Sequence, residues 1–247
     1  MIRAVIDTNV LVSGLLSPVD LPRALTSRPL CNRVDPFGEL WVTPTRGALM
    51  GNRGGRFHRD DRTLSRRRWA SRQWIACVCE FKNRRREVWG SGYTELFFLD
   101  EPTALAAGHR PCFECRRADA EAFRRAWPSR VPPRAAEMDA TLHSERLSEG
   151  RKRIHAAPIE GLPDGAMIER DGRAFAVSRD RLLPWSFEGY GAPVPRPRRG
   201  PANVLTPPSI VAALSAGYAP RWIAASTPSP RLDASAYLSP NSTRDAT

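Results

Sequence analysis

Long apolar segments are missing from this sequence of 247 residues. No run approaches the ~20 apolar residues that a membrane-spanning helix needs. Asp7 and Asn9 interrupt the apolar N-terminal segment, which is unlike a secretory signal peptide. We therefore expect a cytoplasmic protein with no membrane partner. With 41% hydrophobic residues, a chain of this length can bury the core of one large domain or two small ones.

Lysine and cysteine are both scarce. Lys82 and Lys152 are the only lysines, so arginine carries nearly all of the net charge of +12 and sets the pI near 10.6. Such an excess of positive charge is typical of proteins with a nucleic-acid partner. A chain rich in Arg, Ala and Pro is also what GC-rich codon usage produces. The five cysteines are odd in number and irregularly spaced, which predicts no disulfide framework.

The central stretch of the chain carries the clearest structural signals. Residues 93–99 are β-rich and apolar, and Asp100 follows them as a good helix N-cap. The helix that Asp100 begins is expected to end at Gly108, which suits the left-handed position after a helix. The sequence CFEC follows at 112–115, and a second helix is predicted from there to Trp127. The pattern predicts a strand, a short helix, a cysteine turn and another helix.

Cys112 and Cys115 form a Cys-x-x-Cys turn. A tight turn brings two thiolates to one side, where both can bind the same metal ion. The start of the second helix and the nearby Arg110, Arg116 and Arg117 are expected to lower the thiol pKa values. We predict that both cysteines bind zinc. The alternatives are a redox pair or two ordinary cysteines, although the surroundings are unlike the βαβ pattern of thioredoxin-like motifs.

A second pair of cysteines lies in a strand-like segment. Alternation along residues 74–81 places Cys77 and Cys79 on one face and Trp74 and Ala76 on the other. Structural zinc takes four ligands, so Cys77 and Cys79 are candidates to complete the site. In the alternative interpretation both are small apolar residues of the core.

Residues 93–117 contain the run FxDxxxALAAGHRPCxxCR, which resembles the second half of the metal-binding module of the Ada DNA-repair proteins. The resemblance implies a zinc site with Cys112 and Cys115 as two of four cysteine ligands. The first pair of that family is Cys-x3-Cys, which has no counterpart here. Residues 32–218 also resemble a group of uncharacterised bacterial proteins, and this likeness implies no function.

The opening MIRAVIDTNVLVSGLLSP, at 1–18, closely resembles the start of PIN-domain ribonucleases, including toxins of toxin–antitoxin pairs. The resemblance implies that Asp7 ends a first strand and helps to hold Mg²⁺ or Mn²⁺. A plain helix N-cap is the alternative for Asp7. Hard cations need several converging oxygens, and the β-α alternation that supplies them in that family does not follow here.

Arginines and tryptophans are clustered at 66–74, just before Cys77. Arginine binds phosphate, and tryptophan rings stack on unpaired bases. We predict a nucleic-acid surface formed by Arg66, Arg67, Arg68, Trp69, Arg72 and Trp74. The alternative is a solvated strand edge protected by charge.

These patterns predict an α+β fold in which an antiparallel sheet carries short capped helices and a zinc-knuckle-like turn. We divide the chain into a PIN-like segment with linker (1–30), a body (31–225) and a disordered tail (226–247) whose composition cannot form a core. The leading hypothesis is a zinc-stabilised, basic nucleic-acid-binding protein. The alternatives are a metal-dependent ribonuclease at Asp7, and a zinc-dependent enzyme with an open metal position and Glu114 or Glu145 as base.

Overall fold

The computed structural model describes residues 29–83 and 87–223, and its elements form a mixed α+β fold as predicted. The PIN-like start at 1–18 with Asp7 and the tail at 226–247 lie outside the described residues. The strands of the first half and the helices are β1 (Cys31–Val34), β2 (Leu40–Val42), β3 (Leu49–Arg53), β4 (Trp74–Val78), β5 (Leu96–Phe98), β6 (Arg110–Pro111), α1 (Glu101–Ala106), α2 (Arg117–Arg125), α3 (Ala135–Arg146) and α4 (Pro208–Ser215). The later strands are β7 (Leu147–Ser148), β8 (Arg151–Lys152), β9 (His155–Pro158), β10 (Met167–Arg170), β11 (Arg173–Ser178), β12 (Arg181–Ser186), β13 (Gly189–Tyr190), β14 (Val194–Pro195) and β15 (Pro201–Val204).

The first sheet has the strand order β2-β1-β5-β3-β4-β6. Most neighbours are antiparallel, as predicted, but β1 pairs with β5 and β4 pairs with β6 in parallel. Parallel neighbours need a long crossover, and here the β2–β4 and β5–α1 segments provide the two crossovers. The β4–β6 pair aligns Ala76 with Pro111 and brings the Cys-x-x-Cys turn next to β4. This pairing positions the candidate site.

The second sheet is antiparallel, with the order β13-β12-β11-β10-β15-β9 and β14 beside β12. The predicted hairpin with Asp171-Gly172 in its turn is confirmed as β10–β11. Both turn residues have positive φ, 53° at Asp171 and 72° at Gly172, which suits the right-handed twist of a tight hairpin. This sheet packs against α2, α3 and α4 around the larger apolar core, which includes Phe123, Met138, Leu142, Ile168, Val177, Leu182 and Ile210.

Helix α1 begins and ends where the sequence predicts. The Asp100 carboxylate accepts hydrogen bonds from the Thr103 backbone N–H and hydroxyl, at 3.1 and 2.8 Å. Gly108 follows the helix with φ +83°, and a Cβ there would lie 2.6 Å from Cδ of Arg146. Glycine is therefore required both for the backbone conformation and for the close passage of an arginine side chain. All six residues of α1 are buried, so the helix lies in the interior.

The buried carboxylate of Glu101, the first residue of α1, binds groups next to α2 and α4. Glu101 accepts hydrogen bonds from the Tyr218 hydroxyl (2.5 Å), the Arg116 guanidinium (2.6 Å) and the backbone N–H of Arg221 (2.8 Å). Glu101 is completely buried, and a charge in such a place is stable only with partners of this kind. The network fixes Arg116, the residue directly after the Cys-x-x-Cys turn.

Candidate metal centre and the opposite face of its strand

Three cysteines converge at one end of the first sheet. The sulfur atoms of Cys77, Cys112 and Cys115 all lie within 4.8 Å of one another. Cys77 belongs to β4, whereas the other two belong to the turn after β6. The backbone N–H of Cys112 donates to Ala76 O at 3.0 Å, which continues the parallel pairing and sets Cys112 opposite Cys77. Of the two candidates on this strand, Cys77 lies beside the two turn cysteines.

Backbone hydrogen bonds shape the turn between Cys112 and Cys115. The N–H of Glu114 donates to Cys112 Sγ at 3.4 Å, and the N–H of Arg116 donates to Cys112 O at 3.0 Å. These contacts direct both sulfurs to the side where Cys77 lies. Helix α2 then begins at Arg117. The turn has the conformation that a Cys-x-x-Cys metal ligand pair requires.

A buried ion pair holds the strand that leads into the turn. The guanidinium of Arg110 binds the Asp139 carboxylate of α3 through two hydrogen bonds of 2.8 Å. Both residues are buried. Together with Glu101 and Arg116 on the other side, this pair fixes the turn at both ends. Two of the three arginines that were expected to lower the thiol pKa values, Arg110 and Arg116, are thus bound to carboxylates.

The thiols themselves determine which sulfur ionises first. Hydrogen bonds from Cys115 and Cys77, followed by backbone amides, lower the pKa of Cys112. The same hydrogen bonds to Cys112 raise the pKa of Cys77 and of Cys115. The mutual hydrogen bonds of the three thiols therefore favour ionisation of Cys112 over that of Cys77 and Cys115. A divalent cation would allow the other two to ionise, because metal coordination requires deprotonated sulfur.

The donor set fits zinc. With a Zn–S distance of about 2.3 Å, tetrahedral geometry requires sulfurs about 3.8 Å apart. The three sulfurs already lie within 4.8 Å of one another, so small rotamer changes suffice. Thiolate ligands favour zinc over Mg²⁺ or Ca²⁺, which prefer oxygen. Cys77, Cys112 and Cys115 are thus three ligands of a candidate zinc centre.

Two further cysteines lie apart from this group. Cys79 Sγ donates to Ala48 O at 3.5 Å, and its side chain packs against the buried cluster that contains Met50 and Phe97. Cys31 lies on β1, where its Sγ donates to Leu40 O at 3.2 Å. The sequence places Cys77 and Cys79 on one face, but the structure brings only Cys77 into the group. Cys79 follows the last residue of β4 and lies at the edge of the same apolar cluster.

The two predicted bases differ in position. Glu114 is exposed within the turn itself. Glu145, by contrast, accepts hydrogen bonds from the Ser209 backbone N–H (3.0 Å) and hydroxyl (2.6 Å), and so caps the first turn of α4. Glu145 was one of two alternatives for a base, and in the structure its carboxylate stabilises a helix terminus.

The predicted nucleic-acid residues do not form one surface. Arg66, Arg67 and Arg72 are exposed, whereas Arg68 and Trp69 are half-buried. Trp74 is only 2% exposed and belongs to the core. The prediction that Trp74 stacks on a base is therefore wrong, because this ring is buried at the start of β4 and cannot reach an unpaired base.

Sequence reasoning missed the cations that surround Trp74. The guanidinium carbons of Arg53 and Arg146 lie over its ring, 4.1 and 3.9 Å from the centroid. His109 contacts the same ring at 5.0 Å between centroids. These three residues are distant in sequence and almost fully buried. The alternation along β4 turns Trp74 away from Cys77, and this was the one sequence signal that Trp74 belongs to a different environment.

A comparison of the chain with protein-family models, with curated proteins and with solved structures finds no match. The resemblance of residues 93–117 to Ada modules and of residues 1–18 to PIN domains therefore stays a prediction. Among the described residues, no helix is both long and apolar enough to cross a membrane.

Proposed function

We propose that this protein is a zinc-stabilised nucleic-acid-binding protein. The observation that carries the proposal is the convergence of Cys77 on β4 with Cys112 and Cys115 in the turn after β6. Bound zinc would link β4 to the turn and to α2, and metal binding of this kind contributes directly to folding free energy. The net charge of +12 and the exposed arginines before β4 support a polyanionic partner.

The binding surface in this proposal is the exposed part of the segment between β3 and β4. Arg66, Arg67 and Arg72 have solvent-exposed side chains that can reach phosphates, and Trp69 presents a half-exposed ring beside them. Trp69 also contacts His143 of α3, with 6.0 Å between ring centroids. This contact holds the Trp69 ring in one orientation, so less side-chain freedom is lost when the ring stacks on a base.

Salt dependence of binding to a single-stranded oligonucleotide tests this surface. Replacement of Arg66, Arg67 and Arg72 by Ala is expected to reduce the slope of log affinity against log salt by about two to three units, because each phosphate contact contributes about −0.7 to −0.9. The matched control replaces three exposed arginines elsewhere, Arg125, Arg130 and Arg198. Equal slopes for the two triple variants would show that only the overall charge matters and would contradict the proposed surface.

A zinc-dependent enzyme is the second candidate, and the number of ligands favours it. Among the described residues three cysteine sulfurs form the group, and three protein ligands leave a fourth zinc position for water, as in catalytic sites. Glu114 lies in the turn between two of the ligands and is the remaining base of the two predicted. Cys79→Ser distinguishes the candidates. Unchanged zinc affinity favours an open position, whereas a large loss means that Cys79 completes a closed structural site.

A further inference from the structure

The side of β4 that faces away from the cysteines borders a small cleft. It lies between the first sheet and the end of α3, and we call it the cationic cleft. Four positively charged side chains line it, together with the rings of Trp69 and Trp74: Arg53, Arg68, Arg146 and Lys152. Glu39 is the carboxylate among the lining residues. Positive charge thus dominates the lining.

The two most buried cations of the cleft bind only neutral protein groups. Arg53 donates to Gly38 O at 2.7 Å and to Arg68 O at 3.3 Å. Arg146 donates to Arg72 O at 2.7 Å and to Gly108 O at 3.0 Å. Arg53 and Arg146 are 2% and 1% exposed. Within residues 29–83 and 87–223, neither takes part in an ion pair with a carboxylate, unlike the buried Arg110 and Arg116.

A buried donor of the cleft has no partner. Nε of Arg146 is fully buried and makes no hydrogen bond. Such a group normally costs about 1–3 kcal/mol of stability, and more when it is charged. Arg146 is held in this position by Gly108, whose missing Cβ leaves room for its side chain. Arg146, one of the residues that line the cleft, therefore carries an unsatisfied donor.

Desolvation by burial is unfavourable for these charges. It lowers the pKa of Arg53 and of Arg146 to about 9 and that of Lys152 to about 7, and the nearby carboxylates Asp35, Glu39 and Asp139 offset this only in part. Cations in a low-dielectric site are normally paired with an anion. The buried carboxylate nearby, Asp35, is bound to the Trp41 indole N–H and to the backbone N–H of Glu39, so its oxygens are directed to those donors. An anion from outside the chain would complete the charge balance.

We propose that the cationic cleft binds a single phosphate group. Guanidinium groups offer paired N–H donors that match the oxygens of phosphate, and the ammonium of Lys152 adds a point charge. The cleft has an open volume of about 40 Å³. Since one water needs about 10–15 Å³ by this measure, the volume accommodates a few waters or one tetrahedral oxyanion but excludes a nucleoside.

The phosphate has two chemically equivalent sources, free inorganic phosphate and the terminal phosphate of a nucleic-acid strand. The second source agrees with the position of the cleft beside the exposed Arg66, Arg67 and Arg72. The cleft itself does not depend on the proposed nucleic-acid function. If oligonucleotides fail to bind while inorganic phosphate binds, the proposed function is wrong and the phosphate site stands.

Isothermal titration calorimetry of the full chain with inorganic phosphate, at constant ionic strength, tests the proposal. We expect saturable 1:1 binding that weakens at least about tenfold in Lys152→Gln and in Arg68→Gln, because a charge-assisted contact contributes about 1.5–3 kcal/mol. Arg67→Gln removes the same charge from an exposed neighbour that does not line the cleft, and is expected to change affinity less than about twofold. Thermal melting of each variant confirms that it is folded.

Two results would overturn the proposal. One is the absence of saturable phosphate binding to the wild-type protein. The other is an equal loss of affinity in Arg67→Gln and in the two cleft variants, which would show a general charge effect. Competition by 5′-phosphorylated and 5′-hydroxyl oligonucleotides of one sequence identifies the source. Displacement of phosphate by the phosphorylated strand alone assigns the terminal phosphate, and displacement by neither assigns the free ion.

Discussion

The two sides of strand β4 carry opposite chemistry. On one side Cys77 meets Cys112 and Cys115, and on the other Trp74 lies against Arg53 and Arg146. Thiols can lose protons and so accommodate a cation. Guanidinium groups hold their protons and therefore need an anion. Trp74 and Cys77 are three positions apart on the same short strand and therefore lie on opposite sides of it, one beside a candidate anion site and the other in a candidate cation site.

The sides also differ in how the charged neighbours are balanced. Near the cysteines, Arg110 and Arg116 are bound to Asp139 and Glu101 at 2.8 and 2.6 Å. Around Trp74, the arginines donate to backbone carbonyls. Burial alone therefore does not indicate a ligand site. The informative feature is a buried cation whose partners in the chain carry no opposite charge.

The largest effect is expected from loss of a metal ligand. Cys112→Ser should lower the melting temperature of the zinc-loaded protein by about 10 °C or more, since a loss of about 3–5 kcal/mol shifts Tm by about 2–4 °C per kcal/mol in a domain of this size. Cys31→Ser is the control, because this half-buried thiol on β1 lies outside the group. The melting temperatures are measured by circular dichroism. Equal values for Cys112→Ser and Cys31→Ser would contradict a stabilising metal ion at the three cysteines.

Next in size is the difference between the two tryptophans. Trp74→Ala should reduce the free energy of unfolding by about 3–5 kcal/mol, because it empties a core position between two buried guanidiniums. Trp69→Ala should have a smaller effect on stability and should weaken single-strand binding by about 1–3 kcal/mol. Denaturant unfolding and oligonucleotide titration of both variants measure this. A Trp74→Ala protein of normal stability would contradict the assignment of that ring to the core.

A smaller effect is expected from pH on the cationic side, measured with sulfate, whose charge is constant near neutrality. As pH rises through about 7, Lys152 loses its positive charge, and Asp35, whose pKa burial raises to about 7, gains a negative one. Both changes weaken anion binding, so sulfate affinity should fall about tenfold between about pH 6 and pH 8. A Lys152→Gln variant should show a shallower fall, and a pH-independent affinity in the wild-type protein would contradict this expectation.

The other charged groups that face the cleft do not change this sign. Arg53 and Arg146 keep their charge in this range, since their pKa values are lowered only to about 9. His109 is neutral throughout, because burial and the neighbouring arginines lower its pKa well below 6.5. Glu39 is exposed to solvent, and Arg68 is half-buried.

The smallest effect concerns Asp7, which belongs to neither side of β4. If it is a helix N-cap, Asp7→Asn should leave Mg²⁺-dependent RNA cleavage unchanged, because asparagine also caps helices. A nuclease assay with purified wild-type and variant protein measures this. Loss of cleavage in the variant alone would establish a further metal site and promote the PIN-like ribonuclease hypothesis.

Local signals predicted the short elements well. The Asp100 cap, the stop at Gly108 and the Asp171-Gly172 hairpin each depend on a few neighbouring residues, and each is present in the structure. The shared face of β4 made Cys77 a candidate ligand. Whether Cys77 or Cys79 lies beside the Cys-x-x-Cys turn depends on the register between β4 and β6. This register is a tertiary feature that neither segment encodes alone.

Long-range contacts were harder to predict. The parallel pairs in the first sheet join segments that are far apart in sequence. Trp74 was assigned to the surface because arginines surround it in sequence, but Arg146 and Arg53 reach it from α3 and β3. Glu145 was one of two alternatives for a base, and its partner Ser209 lies on a helix far along the chain. Sequence spacing does not reveal such partners.

Metal analysis of protein purified without chelators tests the central claim most directly. We expect about one zinc per chain in the wild-type protein and in Cys31→Ser, and far less in Cys77→Ser, because Cys77 supplies one of the few protein ligands. Inductively coupled plasma mass spectrometry gives the stoichiometry. A wild-type protein without zinc, or full zinc content in Cys77→Ser, would contradict the three-cysteine centre.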